Sequence, residues 1–247
     1  MFVKAIILAA GKGTRLHSEQ SDLPKVLRRA NGKSLLSYVT KNVSFVDPKD
    51  TVIVIGYRGE LVEQEMGPSF SYAWQREQLG TGHAVAQAKD YFKDYDGDVL
   101  VLYGDMPLFT EATYRGLAEA HVASGNDCTV LTSIVEQKLP YGRITRDADG
   151  NFTGVVEDKD CTPEQKEIKE LNVGVYAFKS RALFENLENL KNNNAQGEYY
   201  LTDVPKILME QNRKVGTFTI ESDIEIVSVN TPEDLAFVEA ELKKAEA

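Results

Sequence analysis

The sequence predicts an α/β domain organised around a largely parallel sheet. Three observations carry that reading. Apolar, β-branched runs alternate with helical patterns through residue 130. Strands that alternate with helices need crossover connections, and these give parallel pairing. Each run is nearly all apolar, as a sheet covered on both faces requires. The first run also leads directly into a glycine-rich turn, where such sheets meet their ligands.

Taken in order, the first strand is read at Val3–Leu8 and ends in Gly11 and Gly13, where the backbone can approach a ligand closely. Consecutive N–H groups in such a turn can wrap a phosphate chain. Arg15 and Lys25 add the cations that anionic oxygens need. Helices are expected near Ser34–Val43, Glu60–Glu65, Gly82–Phe92 and Glu111–Ser124, with strands at Thr51–Ile55, Ser69–Trp74 and Asp98–Tyr103 between them. The middle differs. Cys128–Val135, Gly142–Arg146, Phe152–Glu157 and Leu171–Phe178 read as strands with little helix between, and residues 147–151 have the composition of a hairpin turn. An antiparallel region is therefore expected after the parallel half.

Residues 180–211 return to helix around a loop at 192–197, and Lys214–Ile220 and Ile224–Val229 read as strands. Thr231 opens a charged amphipathic helix, with Pro232 at its first position and Asp234 three residues on. No internal repeat, low-complexity linker or composition break divides the chain, so one domain over residues 1–247 is expected.

The formal net charge of −10 argues against a nucleic-acid or anionic-membrane partner. Cys128 and Cys161 make no metal or redox spacing, and neither do His17, His83 and His121. His83, after Gly80, Thr81 and Gly82, is read as structural. No apolar run reaches membrane-spanning length, and the N-terminus enters a strand at once, so a cytoplasmic protein without a signal peptide is expected.

The opening turn is not either of two common phosphate grips. The dinucleotide fingerprint needs a third glycine where Leu16 stands, and the Walker pattern needs a glycine at Leu27 ahead of Gly32 and Lys33. Asp105 follows Gly104 at the carboxyl end of a central strand, where open α/β sheets bind ligands. A carboxylate there, near phosphates, suits a divalent cation; Mg²⁺ commonly takes one or two protein oxygens besides those of the substrate. The alternative is a turn aspartate ahead of Pro107. Asn230 offers a second hard oxygen, or else merely precedes the last helix, and the residues alone leave both open. Gln75, followed by Gln78, Leu79 and Gly80, places side-chain amides that can donate and accept at a pyrimidine edge.

Leu8, Ala9, Ala10, Gly11, Gly13, Thr14 and Arg15, followed by Pro24 and Lys25, resemble the signature of the sugar-phosphate nucleotidyltransferases. The run from Gln75 to His83 resembles the N-acetylglucosamine-1-phosphate uridyltransferases within that family. Further segments continue the likeness in order: Tyr103 to Asp105, Tyr141 to Ile144, the surroundings of Glu157 and Asn172, and Gly197 to Asp203. Together they span most of residues 5–232.

The resemblance implies a Rossmann-like fold with a nucleotide-binding half (1–110), a β-rich sugar-binding half (111–230) and a C-terminal helix (231–247). It implies that Leu8, Ala9, Ala10, Gly11, Gln75, Gly80 and Thr81 hold the base and ribose, with Tyr103 and Gly104 in the site, and that Arg15 and Lys25 contact phosphates. Gly142, Glu157 and Asn172 would bind the sugar and its acetamido group, Tyr199 and Thr202 would line its pocket, and Asp105 and Asn230 would hold Mg²⁺. Without the resemblance, Glu157 and Asn172 read as solvent-facing strand residues.

The implied reaction is UMP transfer from UTP to N-acetylglucosamine-1-phosphate, giving UDP-N-acetylglucosamine and pyrophosphate. Alternatives are another nucleotide and sugar, such as dTTP or UTP with glucose-1-phosphate, a cytidylyltransferase acting on an alcohol phosphate, or a non-catalytic nucleotide-sugar-binding module. Three departures bear on the choice. The Arg15–Pro24 stretch has a length more like glucose-1-phosphate enzymes, Pro140 stands where a glycine commonly precedes the Tyr-Gly-Arg segment, and no hexapeptide period of an acetyltransferase β-helix follows. The ending is expected to be that of a stand-alone nucleotidyltransferase.

Overall fold

The computed structural model describes residues 3–13, 16 and 23–246. Its frame is a nine-stranded mixed sheet. Strands β1 (Val3–Ala9), β4 (Thr51–Ile55), β5 (Ser71–Trp74) and β6 (Asp98–Tyr103) run parallel in the order β6-β1-β4-β5. Each is expected from its apolar run. β1, β4 and β6 are buried on both faces, while the edge strand β5 fully buries only Ala73. In β1, Ala5, Ile7 and Ala9 enter one core while Ile6 and Leu8 enter the other. Helices α1 (Leu35–Asn42), α2 (Gly59–Met66) and α4 (Glu111–Ser124) cover the first core. Helices α3 (Thr81–Ala86), α5 (Ser180–Leu187) and α6 (Val204–Glu210) cover the second. Ser34 and Thr110 cap α1 and α4 through their hydroxyls, and Gly125 closes α4 in the left-handed conformation.

The antiparallel expectation centres on one strand. β10 (Glu170–Lys179) inserts antiparallel between β6 and β7 (Cys128–Ile134), and it also pairs with β8 (Gly142–Arg146). β8 and β9 (Phe152–Val156) form the hairpin read from the sequence, and its turn places Gly150 at φ +81°. β11 (Val215–Ile220) returns parallel to β7. A short ribbon, β2 (Arg29–Ala30) with β3 (Lys33–Ser34), lies apart. The last helix, α7 (Pro232–Glu246), packs Val238 and Leu242 with Leu16, Leu35 and Tyr38 in a third core. Its start follows the expected pattern: Asp234 N–H donates to Thr231 Oγ1, and Asp234 Oδ2 accepts from Thr231 N–H.

Three expectations are corrected. Residues 224–229 are not a strand. Their apolar side chains are buried at Ile226 and Val229, but their backbone is satisfied by other partners. Val229 N–H donates to Asp105 O at 3.0 Å, and Ser228 N–H donates to the Tyr141 hydroxyl at 3.2 Å. The helix expected over Gly82–Phe92 stops at Ala86, where a 3-10 turn at Lys89–Phe92 takes over. Residues 180–211 hold helices on either side of a break, as expected, but the break is wider than 192–197: it runs from 188 to 200 and ends in a 3-10 turn at Leu201–Asp203.

Candidate active site

The carboxyl ends of the parallel strands open onto a cavity of about 350 Å³. Its walls are Leu8, Ala9, Ala10 and Gly11 at the end of β1, Gln75, Gly80 and Thr81 beyond β5, and Tyr103 and Asp105 beyond β6. Lys25 and Asn230 close its far end. The fold thus brings together residues scattered over more than two hundred positions of sequence.

Backbone builds much of this cavity. The 79–82 segment pairs with residue 199: Tyr199 N–H donates to Leu79 O, and Gly82 N–H donates to Tyr199 O, both at 2.8 Å. Gly80 makes the approach possible. Its φ is +113°, and a Cβ there would stand 2.6 Å from Tyr199 O. Gln75 is buried, and its amide nitrogen is committed to Gly80 O at 3.1 Å and to His83 Nδ1 at 3.1 Å. The amide oxygen is the group left for a ligand.

At the far end, Lys25 follows Pro24 in a 3-10 turn, Lys25–Leu27. Its ammonium donates to Asp105 Oδ2 and, at 2.8 Å, to Asn230 Oδ1. Two oxygens from distant parts of the chain therefore converge on one cationic point. Ser228 joins them: its Oγ donates to Asp105 Oδ2 at 3.0 Å and accepts from Asn230 Nδ2 at 3.2 Å. Among the described residues no three His, Cys, Asp or Glu side chains are placed to share a metal ion. A metal at this point would have one carboxylate and one amide oxygen from the protein, a donor set that suits Mg²⁺ completing its shell with water and substrate phosphate.

A second cavity, about 240 Å³, shares Tyr103, Asp105 and Asn230 with the first. Its other walls include Gly142, Glu157, Asn172 and Thr202. A bulge in β10 shapes it: the register with β7 shifts between Asn172 and Tyr176. Gly174 sits in the bulge at φ +80°, with the Tyr103 ring where its Cβ would be. Asn172 is buried, and its amide oxygen accepts from Gly174 N–H at 3.3 Å and from the Tyr176 hydroxyl at 3.0 Å. Its amide nitrogen is left to donate into the cavity. Glu157 accepts from the Thr202 hydroxyl at 2.8 Å. Burial, and then the negative fields of Asp203, Asp160 and Asp158, hold the Glu157 carboxyl above its ordinary range despite that bond. Burial likewise lifts the Tyr103 phenol, whose hydroxyl pairs with Thr81.

Gly104 and Tyr199 stand behind these walls. Gly104 packs against Leu8 O, Val26 and Leu36, each within 3.2 Å of where its Cβ would lie. Tyr199 sends its side chain to the second core. Arg15 lies outside the described residues. Several wall residues escaped the sequence reading. Glu198 lines the first cavity and Tyr141 the second. Glu198 had a signal, since it sits in the Gly197–Asp203 segment. Ser228 had none, because its segment read as an ordinary strand.

The chain matches the Nucleotidyl transferase family model over residues 4–224. It is 43% identical to the bifunctional protein GlmU of Streptococcus thermophilus, over 97% of this chain and 52% of that protein. The GlmU of Streptococcus sanguinis gives the same figures, 43%, 97% and 52%. The GlmU of Acetivibrio thermocellus is 43% identical over 94% of this chain and 50% of its own length. The chain therefore spans about half the length of these curated relatives. Among solved structures, a Bacillus anthracis chain provisionally assigned as a glucose-1-phosphate thymidylyltransferase, in complex with sucrose, superposes with a TM-score of 0.76. It covers 96% of this chain and 94% of its own at 20% identity, a likeness of fold.

Proposed function

The chain belongs to the nucleotidyl transferase family, and we propose that it transfers UMP from UTP to N-acetylglucosamine-1-phosphate, releasing pyrophosphate. The observation that carries this reading is the meeting of two cavities at one cation-holding point, between Lys25, Asp105 and Asn230. A nucleoside triphosphate in the first cavity and a sugar phosphate in the second would present their phosphates there. The residue roles fit the two ligands. A committed Gln75 nitrogen leaves an acceptor for the N3–H of uracil. A committed Asn172 oxygen leaves a donor for an acetamido carbonyl, and Glu157 with Thr202 offers partners for sugar hydroxyls. Residues 1–110 supply the nucleotide side, residues 111–230 the sugar side, and α7 anchors the segment that carries Asn230.

No general base is needed, because a phosphate monoester has its second ionisation near pH 6 and is already dianionic at neutral pH. Its oxygen attacks the α-phosphorus in line. A new P–O bond forms as the bond to pyrophosphate breaks, and the leaving group takes the electron pair. Positioning and charge neutralisation then carry the rate. Lys25 swings from its carboxylate to the attacking or α-phosphate, and Arg15 is assigned the leaving pyrophosphate. Asp105 and Asn230 would hold Mg²⁺, which supplies further neutralisation of phosphate charge when bound. Among the described residues no helix is long and apolar enough to cross a membrane. A cytoplasmic location is proposed as part of this reading.

The test is pyrophosphate release from UTP and N-acetylglucosamine-1-phosphate. Asp105→Ala should bring the rate below about a tenth of wild type, since metal charge stabilisation is worth several kcal/mol. Its melting temperature should hardly move, because the carboxylate serves the cation point rather than a core. A variant that keeps most of its rate contradicts the assignment.

A further inference from the structure

Asn230 can present either its oxygen or its nitrogen to the cation point, and only the oxygen attracts a cation. What decides is the other end of the amide. Asn230 Nδ2 donates to Ser228 O at 3.2 Å and to Ser228 Oγ at 3.2 Å, so one residue takes both amide hydrogens. Turning the amide over would set its oxygen against Ser228 O, two acceptors face to face. The Ser228 hydroxyl proton is then free to go the other way, to Asp105 Oδ2 at 3.0 Å. The directions are consistent throughout: amide N–H to hydroxyl oxygen, hydroxyl O–H to carboxylate oxygen. Ser228 is itself located by Tyr141, whose hydroxyl accepts from Ser228 N–H and donates to Ile226 O. Residues 224–229 are accordingly not sheet: Val229 N–H goes to Asp105 O and Ser228 N–H to Tyr141, which sets Ser228 between the two oxygen donors.

We propose that Ser228 is a positioning residue that orders the divalent-cation site by orienting both the Asn230 amide and the Asp105 carboxylate. The inference rests on the reading of Asp105 and Asn230 as the metal donors. Outer hydrogen bonds of this kind matter for metal sites because they fix donor orientation before the ion arrives, and their loss commonly costs about ten- to a hundredfold in affinity. Without the hydroxyl, the Asn230 amide loses one of its two Ser228 acceptors and Asp105 Oδ2 loses a donor that holds it beside Lys25. Among the described residues the Ser228 hydroxyl bonds Asp105 and Asn230, while its backbone N–H bonds Tyr141 and its C=O gives the Asn230 amide a second acceptor.

The experiment uses Mn²⁺ as the probe, with free Mn²⁺ read by electron paramagnetic resonance against the full chain in the absence of substrates. Wild type, Ser228→Ala, Ser228→Thr and Asp105→Ala are compared, and the Mn²⁺ concentration for half-maximal pyrophosphate release is measured alongside. Ser228→Ala should weaken Mn²⁺ binding by about tenfold and shift the activation midpoint by a similar factor, the scale expected for an outer hydrogen bond. Ser228→Thr, which keeps the hydroxyl, should restore binding to within about threefold, well short of that tenfold loss. A merely structural role would lower the melting temperature without moving the Mn²⁺ midpoint. If Asp105→Ala loses Mn²⁺ while Ser228→Ala binds like wild type, the positioning role is overturned and the metal reading stands. If Asp105→Ala binds Mn²⁺ like wild type, both are overturned.

Discussion

The two cavities are made of different material. The nucleotide cavity is walled largely by backbone at strand ends and turns, with Gly11 and Gly80 bringing the chain close. The sugar cavity takes its polar character from side chains already committed to neighbours: Asn172 to Gly174 and Tyr176, Glu157 to Thr202. The contrast teaches where each is vulnerable. Where Gly11 and Gly80 form the wall it is broken by adding atoms, because these two residues have no side chain to remove. A side-chain wall is broken by removing or recharging atoms, because its groups are few and already committed.

The largest expected effect comes from adding one methyl group. Gly80→Ala would force a side chain onto φ +113° and into the Tyr199 backbone at 2.6 Å. Strain of about 1–3 kcal/mol for the backbone and a similar cost for overpacking should together lower stability by several kcal/mol. Gly11→Ala is the control, since nothing lies within 4 Å of its Cβ position. That variant should unfold like wild type in urea yet raise the KM for nucleotide, because the methyl group enters the cavity. Equal urea midpoints for the two variants would erase the distinction between a wall that is packed from behind and one that is open.

Next is a removal. Asn172→Ala takes away the acceptor for the buried Tyr176 hydroxyl and for the half-buried Gly174 N–H. Leaving such groups unpaired costs about 1–3 kcal/mol. Isothermal titration should show weaker sugar-phosphate binding with nucleotide binding kept. Loss of both together would mean that the two cavities are not separable.

These effects also mark what the sequence could tell. The alternating pattern of β1, β4 and β6 and the turn after β1 were legible because local chemistry settles them: apolar runs buried on both faces, and glycines before a ligand. Asn172 and Glu157 were not legible from their own neighbourhood. Their strands read as half-exposed, and a bulge centred on Gly174 was needed to turn Asn172 inward. Residues 224–229 misled because burial alone reads as a strand, while their hydrogen bonds go to Asp105 and Tyr141, far away in sequence. Local composition reports burial; it does not report which partner satisfies the backbone.

The smallest expected effect is a gain in stability. Glu157 has its carboxyl raised above the ordinary range, chiefly by burial, so the folded protein favours its protonated form. Below the unfolded-state value, both states bind the proton and Glu157→Gln should change little. As pH rises between the ordinary value and the raised folded one, the unfolded chain loses its proton first, and wild type loses stability relative to the variant. Glu157→Gln should therefore melt higher than wild type in neutral buffer, with the gap closing in acid, while the KM for sugar phosphate rises. A gap that widens on acidification would reverse the assigned sign.

The most direct test of the whole account is the ratio of kcat/KM for N-acetylglucosamine-1-phosphate over glucose-1-phosphate, with UTP and Mg²⁺. A cavity whose free Asn172 donor is meant for an acetamido group leaves that donor unpaired with glucose, a loss that reaches about a hundredfold or more. The expected preference is at least about a hundredfold for the acetylated sugar. Equal use of the two, or faster reaction of glucose-1-phosphate with dTTP, would contradict it.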